Sequence, residues 1–371
     1  MSTIPGIRLD DDTTVPQLGV EVRAFGRSEV TTRGVLSAIV AGHRHVDTMP
    51  TPDSESGAGR AIARSGLARR DLWVTARTDG RYPGADARRA LAASLRRLGL
   101  DFVDQYLLDG PGPDPSATAR VWRELERARD EGTTRSVGVA NFGADALARL
   151  VRDGDVPPSV NQVELHPRWQ RVPLRAVHRR SGVRTTAWDP FGHRDYLVTD
   201  PTLGAIAARH HRTPVQVLLG WHLRLGHVVV CPLSGAARLA DDLAAAGELR
   251  GDRVAGGDTP GGDTPGGDTP SATPGGDTPG GDTPGGDTPS ASTPGGDTPS
   301  ASTPGDRALS DAEMAAIAAL DRPAGHAARI LTANHRPAAT DVRARDGSRP
   351  IGLRSWSRVG SVPGRGLVQR A

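Results

Sequence analysis

Seven polar or aromatic side chains stand at or beside the ends of short β-rich runs in this sequence, and together they offer acid, base, cation and stacking chemistry. They are two carboxylates, a guanidinium, two amides, a hydroxyl and an indole: Asp47, Asp109, Arg77, Asn141, Gln162, Ser234 and Trp188. If these ends meet at one mouth, they form a mixed-charge pocket with one flat aromatic surface. Such a pocket suits a ligand that has a planar ring and hydrogen-bonding groups.

The composition limits that chemistry. All 46 basic residues are arginine, so the chain has no lysine to form a Schiff base or to transfer a proton. Cys231 is the only cysteine, which excludes internal disulfides and thiolate-rich metal sites and predicts a cytoplasmic protein. No run approaches the roughly 20 apolar residues of a membrane span, so we expect no membrane contact. The spacing of the acidic residues does not single out a metal site, and none is predicted.

Eight β-rich runs alternate with amphipathic helical patterns. The predicted strands are Gln17–Val22, His43–Asp47, Leu72–Arg77, Val103–Asp109, Arg135–Ala140, Val160–Glu164, Arg184–Trp188 and Val228–Cys231. Eight strand–helix cycles in about 250 residues predict an α/β protein with a (β/α)₈ TIM barrel, in which the carboxyl ends of the strands share one mouth. The alternative is a doubly wound sheet, which would more often carry a Gly-rich dinucleotide loop after its first strand.

Two segments lie outside the barrel, which we predict to comprise residues 8–255 and 306–325. Residues 256–305 contain seven copies of Gly-Gly-Asp-Thr-Pro and no apolar side chain larger than alanine apart from proline, so we predict a disordered low-complexity insertion. Residues 326–371 contain nine arginines and two acids without helical or strand periodicity, which predicts a disordered basic tail. The tail would bind nucleic acid only without sequence preference, and a solvated tail without a partner is the favoured interpretation.

Five ordered blocks of the sequence resemble signatures of the aldo-keto reductase family. They are Gly42–Thr48 with Glu55–Ile62, Gly132–Phe142, Asn161–Pro167, Ala187–Gly192 and Leu309–Asp321. The resemblance implies a TIM barrel and an NAD(P)H-dependent carbonyl oxidoreductase. In that family an Asp, a Tyr, a Lys and a His act together: the tyrosine gives a proton to the carbonyl oxygen while the nicotinamide gives a hydride.

This sequence departs from the family at those four places, so it resembles a divergent member with a degenerate catalytic tetrad. Asp47 keeps the aspartate place, but Pro52 stands at the tyrosine place, Arg77 at the lysine place and Asp109 at the histidine place. Tyr106 is no obvious substitute, because on a strand it points away from the face of Asp109. One positioned acid typically supplies roughly 10²–10⁴-fold in rate, so we expect carbonyl reduction to be lost or much reduced.

The resemblance also implies a cofactor site, in which fewer of the family's residues are replaced than in the catalytic tetrad. Asn141, Gln162 and Trp188 match residues that hold and stack the nicotinamide in the family, and Ser234 and Arg238 match residues near the cofactor phosphates. Acidic or bulky residues replace small or basic ones beside them, at Glu21, Asp189 and Leu233. We therefore expect NADP or NAD to bind weakly or not at all.

Three functional hypotheses follow. The first is an aldo-keto reductase-like pseudoenzyme that retains weak dinucleotide binding. The second is an active reductase of a small-molecule carbonyl, with Asp109, a water or the substrate as proton source; repulsion between Asp47 and Asp109 would keep one carboxyl neutral, although Arg77 opposes this. The third is a non-catalytic interaction protein that binds through its basic tail. A monomer is expected in each case, and the Asp47–Arg77 pair is interpreted mainly as mutual satisfaction of two buried charges.

Overall fold

The computed structural model describes residues 5–22, 28–79, 84–112, 114–192, 197–233 and 308–322. The chain divides into two units, Met1–Pro323 and Ala324–Ala371, and every residue described here belongs to the first. The predicted insertion at residues 256–305, the predicted tail at 326–371, and Ser234 and Arg238 lie outside the described residues.

Eight parallel strands form a closed barrel, as predicted. They are β3 (Leu18–Val22), β4 (His45–Thr48), β5 (Trp73–Asp79), β6 (Val103–Asp109), β7 (Thr134–Ala140), β8 (Val160–Glu164), β9 (Arg184–Trp188) and β10 (Val228–Pro232). Each strand pairs with its neighbours in sequence, and β10 pairs with both β9 and β3 to close the cylinder. All eight predicted strands are present, with ends that differ from the prediction by at most two residues.

Nine helices surround the strands in the described part of the chain. They are α1 (Ser28–Val40), α2 (Pro52–Arg64), α3 (Gly84–Leu98), α4 (Pro115–Asp130), α5 (Ala144–Asp153), α6 (Val172–Arg180), α7 (Pro201–Arg209), α8 (Pro214–Arg224) and α9 (Asp311–Ala318). A short 3₁₀ helix, Arg69–Asp71, precedes β5. Among the described residues, no helix combines the length and the apolar character that a membrane span requires.

Alternation along the strands divides the core into two layers. On β6, Tyr106 and Leu108 pack outward against the helices, whereas Leu107 packs inside the barrel, so Tyr106 points away from the mouth as predicted. Cys231 on β10 also belongs to the outer layer and is 1% exposed. Most of the buried apolar residues belong to this outer layer. Because a fully buried Leu or Val side chain contributes about 1.5–3 kcal/mol, the outer layer supplies most of the apolar stabilisation.

A hairpin that the sequence did not predict closes the amino-terminal end of the barrel. Its strands, β1 (Gly6–Arg8) and β2 (Thr14–Pro16), are antiparallel. Leu9 and Val15 of the hairpin pack on the first residues of barrel strands, among them Trp73. With that end sealed, a ligand reaches the interior from the carboxyl ends of the strands.

Four helices begin with the same two-residue pattern of a capping residue followed by proline. The pairs are Thr51-Pro52, Asp114-Pro115, Asp200-Pro201 and Thr213-Pro214, and each capping side chain accepts a hydrogen bond from a backbone N–H of the first turn. Proline is well suited to the first helical position, because its fixed φ matches the helix and its missing N–H would be unpaired there. Pro52 therefore has a structural role at the start of α2.

The late helix α9 lies on the barrel as the sequence block at Leu309–Asp321 predicts. The Arg224 guanidinium donates to Asp311 at 2.6 Å, and His210 Nε2 lies 3.0 Å from a carboxylate oxygen of Glu313. Gln170 Nε2 donates to the carbonyl of Ala318 at 2.8 Å. These contacts join α9 to α7, α8 and the segment that follows β8.

Candidate active site

The centre of the barrel mouth is a buried ion pair between β4 and β5. One terminal nitrogen of Arg77 donates to both carboxylate oxygens of Asp47 at 2.6 Å. The Asp47 side chain is 0% exposed and that of Arg77 is 4% exposed. Because a buried charge is costly without a partner, this contact fixes both side chains. The structure thus brings together Asp47 and Arg77, two of the residues predicted to lie at the mouth.

Gln162 on β8 bridges this pair with its amide. Its Oε1 accepts from Arg77 at 3.0 Å, and its Nε2 donates to Asp47 at 2.8 Å. The amide is buried, and both of its ends are used within the protein. The resemblance predicted Gln162 as a nicotinamide-binding residue, whereas the structure gives it a second role that the sequence did not reveal.

A second chain of contacts runs along the open side of the mouth. Asp109 ends β6; one of its oxygens lies 3.4 Å from a nitrogen of Arg77, and the other accepts from Asn141 Nδ2 at 2.8 Å. The oxygen of the Asn141 amide accepts from the Trp188 indole at 3.0 Å. The side chains of Asp109 and Trp188 are half-buried, and Asn141 is exposed. The six predicted mouth residues that the structure describes therefore form one connected network.

Backbone geometry sets the direction of the Asn141 side chain. Asn141 follows β7 directly and has φ of 59°, in the left-handed region that asparagine tolerates better than most residues. Its backbone N–H donates to the carbonyl of Gln162 at 2.8 Å, which joins the turn to β8. The turn holds the amide between Asp109 and Trp188.

Pro52, which the family resemblance assigns to the tyrosine place, begins α2. The hydroxyl of Ser54 donates to the carbonyl of Val22 at 2.5 Å, which joins the first turn of α2 to the end of β3. The proline side chain has no acidic proton, and its nitrogen has no N–H. This position therefore offers no acid to the mouth.

Electrostatics keep Arg77 fully charged. Burial alone would lower its pKa, but the charges of Asp47 and Asp109, the hydrogen bonds with Asp47 and the charge of Glu21 raise it above its ordinary value. One layer deeper, burial lowers the pKa of His45 to about 4, in spite of the opposing charge of Asp47. His45 is thus neutral at pH 7 and adds no positive charge beneath the mouth.

Glu21 on β3 is buried, and its charge helps to raise the pKa of Arg77. The family resemblance predicted an acidic side chain close to the nicotinamide place. The structure adds that the charge of Glu21 acts on the guanidinium of Arg77. Asp189 follows β9 with φ of 50°. Among the described residues, no group of three His, Cys, Asp or Glu side chains is arranged to hold a metal ion.

Comparisons with known proteins agree with this architecture. The sequence model of the Aldo/keto reductase family matches residues 24–252. An aldo-keto reductase of Mycolicibacterium smegmatis is 40% identical over 255 residues, which cover 68% of this chain and 89% of the relative. A crystal structure of an aldo/keto reductase from Brucella melitensis aligns with a TM-score of 0.62 and 36% identity, over 65% of this chain and 92% of the other.

A further solved structure is similar and includes a cofactor. It is a Bombyx mori aldo-keto reductase in complex with NADP, with a TM-score of 0.61 and 29% identity over 66% of this chain and 88% of that protein. The closed parallel barrel, the polar mouth and the match to the family over most of the barrel sequence define the class of protein. This chain belongs to the aldo-keto reductase family.

Proposed function

We propose that this protein binds a nicotinamide dinucleotide at the barrel mouth and has lost most or all of the family's ordinary carbonyl reduction. The observation that carries the proposal is the position of Pro52 at the start of α2, where the described part of the mouth has no phenol. Arg77 does not replace the acid, since its guanidinium stays protonated and is bound by Asp47 and Gln162.

The residues on the open side of the mouth fit a nicotinamide ring. Trp188 presents a partly exposed aromatic surface, and beside it Asn141 and Asp109 offer an amide and two carboxylate oxygens. A planar ring with a carboxamide is complementary to such a set. The NADP complex of the Bombyx mori relative supports the same class of ligand. We propose weak binding, because the Gln162 amide is already engaged on both sides.

A reduced nicotinamide supplies a hydride when bound, and a carbonyl oxygen that receives the hydride needs a proton and a positive neighbour. In this chain the positive neighbour is 4% exposed and bonded to Asp47. Asp109 lies 3.4 Å from the same guanidinium. The mouth therefore holds groups that orient a ligand but presents no strong proton donor among its described residues.

The test compares full-length wild type with variants that rebuild the family's tetrad. The triple variant Pro52→Tyr, Arg77→Lys, Asp109→His should reduce aldehydes with NADPH, with kcat/KM roughly 10²–10⁴ above wild type. The control replaces Pro52→Tyr by Pro52→Ala in the same triple variant, which opens the same backbone position without a phenol and should gain little. Thermal unfolding of each variant checks that the barrel is intact. Wild-type rates equal to those of the triple variant would refute the proposal.

An active reductase that uses Asp109 as acid is the second candidate, and the partial exposure of that carboxylate, 26%, is the observation in its favour. If it holds, wild type reduces a small-molecule carbonyl, and Asp109→Asn abolishes the reaction. If wild type is inactive and Asp109→Asn still binds NADPH, the carboxylate has a binding role. Deletion of residues 326–371 tests the third hypothesis, because a partner that binds through the tail is lost with it.

A further inference from the structure

The network at the mouth has a buried half and an open half. Asp47, Arg77 and Gln162 form the buried half, since their side chains are almost fully enclosed. Asp109 and Trp188, with the Asn141 amide between them, form the open half. A ligand at the mouth therefore contacts a carboxylate and an indole face first and meets the guanidinium only behind them.

Among the residues that the structure describes, the charges of the two halves do not cancel. Arg77 gives both short hydrogen bonds, at 2.6 Å, to Asp47, and its contact with Asp109 is longer, at 3.4 Å. Among the described residues, this one positive charge acts on the carboxylates of Asp47, Asp109 and Glu21, and Asp109 is the most exposed of the three. His45 below them is neutral at pH 7 because burial lowers its pKa. The open half of the network carries a carboxylate whose charge is only partly balanced.

We propose that the open half of the mouth selects a planar ring that carries a positive charge, so that it binds oxidised nicotinamide dinucleotides more tightly than reduced ones. This inference rests on the proposed function, because it concerns the ligand of the same site. The oxidised ring is a pyridinium cation, and the reduced ring is neutral. An aromatic face attracts a cation through its quadrupole, and Trp188 presents that face beside Asp109.

The contacts within the open half hold the two selecting groups in one place. The Asn141 amide donates to Asp109 and accepts from Trp188, so the carboxylate and the indole are fixed relative to each other. A carboxylate only accepts hydrogen bonds, and it therefore favours cationic or N–H-donating ligands over anionic ones. The histidine that the family resemblance implies at the place of Asp109 would not supply this negative charge.

The experiment measures dissociation constants of the full-length protein for NADP⁺, NADPH, NAD⁺ and NADH by calorimetry and by quenching of tryptophan fluorescence. We expect the oxidised member of each pair to bind roughly tenfold more tightly, a ratio that corresponds to about 1.4 kcal/mol. In Asp109→Asn the ratio should fall several-fold towards one, because the unbalanced charge is lost and only the indole face remains. The matched control is Asp153→Asn, which removes an exposed carboxylate of α5 paired with Arg152 and should leave the ratio unchanged.

Two ring probes separate the possible failures. The 1-methylnicotinamide cation and neutral nicotinamide test the ring preference without phosphates, with the same two variants. If no dinucleotide binds at millimolar concentration, the proposed function is overturned. If dinucleotides bind but oxidised and reduced forms do so equally, or if Asp109→Asn keeps the preference, the inference is overturned while the proposed function stands. Equal affinity for the two ring probes also overturns the inference.

Discussion

Arg77 shows what a planar cation does in the buried half of the mouth. Its guanidinium reaches Asp47, Gln162 and Asp109 at the same time, because its donors spread over a rigid fork. An ammonium is a compact point charge and would not give the same fixed set of bonds. The residue is thus a fixed structural link between β5 and the strands β4, β6 and β8.

The first prediction concerns this residue. Arg77→Met leaves the fully buried Asp47 without its cation, and breaking a buried pair in this way costs about 3–5 kcal/mol. We expect a loss of that size in the free energy of unfolding, measured by urea denaturation at pH 7. The control Arg152→Met removes an exposed ion pair with Asp153 and should cost less than about 1 kcal/mol. Equal effects of the two substitutions would show that the buried ion pair at the mouth contributes no more to stability than the exposed one.

At the scale of elements, α2 and α3 approach each other very closely. A Cβ atom at Gly59 would lie 2.2 Å from the backbone carbonyl oxygen of Leu98, so only glycine allows this distance. Glu55 and Arg97 connect the same two helices by an ion pair. Burial raises the pKa of Glu55, although hydrogen bonds with Ser94 and Arg97 and the charge of Arg97 oppose this. The crossing thus depends on the missing side chain as well as on the charges.

The second prediction tests that crossing. Gly59→Ala must push the end of α3 away, and overpacking of this kind costs about 1–3 kcal/mol. The matched control is Gly204→Ala in α7, where an added Cβ meets nothing within 4 Å; it should stabilise by up to about 1 kcal/mol, since alanine favours helix. Thermal unfolding of both variants measures the difference. A Gly59→Ala variant as stable as wild type would contradict the close approach.

At the scale of the whole molecule, buried neutral histidines make the fold sensitive to acid. Burial lowers the pKa of His43, His45 and His178 to about 4 and that of His222 to about 3. Burial also holds the pKa of His227 well below its usual value. Unfolded histidines take up protons near pH 6.5, so the unfolded chain binds more protons than the folded one below that pH.

The third prediction follows from this difference. The free energy of unfolding should fall as pH decreases from 6.5 to 5, by at most about 2 kcal/mol per histidine. Burial raises the pKa of Glu55 and therefore acts in the opposite direction. Urea midpoints at pH 7, 6 and 5 measure the change, and His211→Asn, which removes an exposed imidazole, should show the same decrease. An unchanged midpoint between pH 7 and 5 would contradict it.

Most of the fold could be predicted from the sequence, because strands and helices are encoded by short, periodic patterns of neighbouring residues. The barrel strands are short β-rich runs, and helices such as α4 and α8 begin with a capping residue and a proline. The hairpin of β1 and β2 escaped prediction because each strand has three residues, too few to show a period. The bridge that Gln162 forms was also missed, since it depends on side chains from strands far apart in the sequence.

Cys231 lies on β10, the last strand of the barrel. This strand closes the barrel by pairing with β3, the first barrel strand. Its thiol is 1% exposed and packs in the layer between strands and helices. A thiol reagent can therefore modify it only while β10 and its covering helices are transiently apart. Because the chain has no second cysteine, the modification rate of the unaltered protein measures directly how often the barrel opens along this seam.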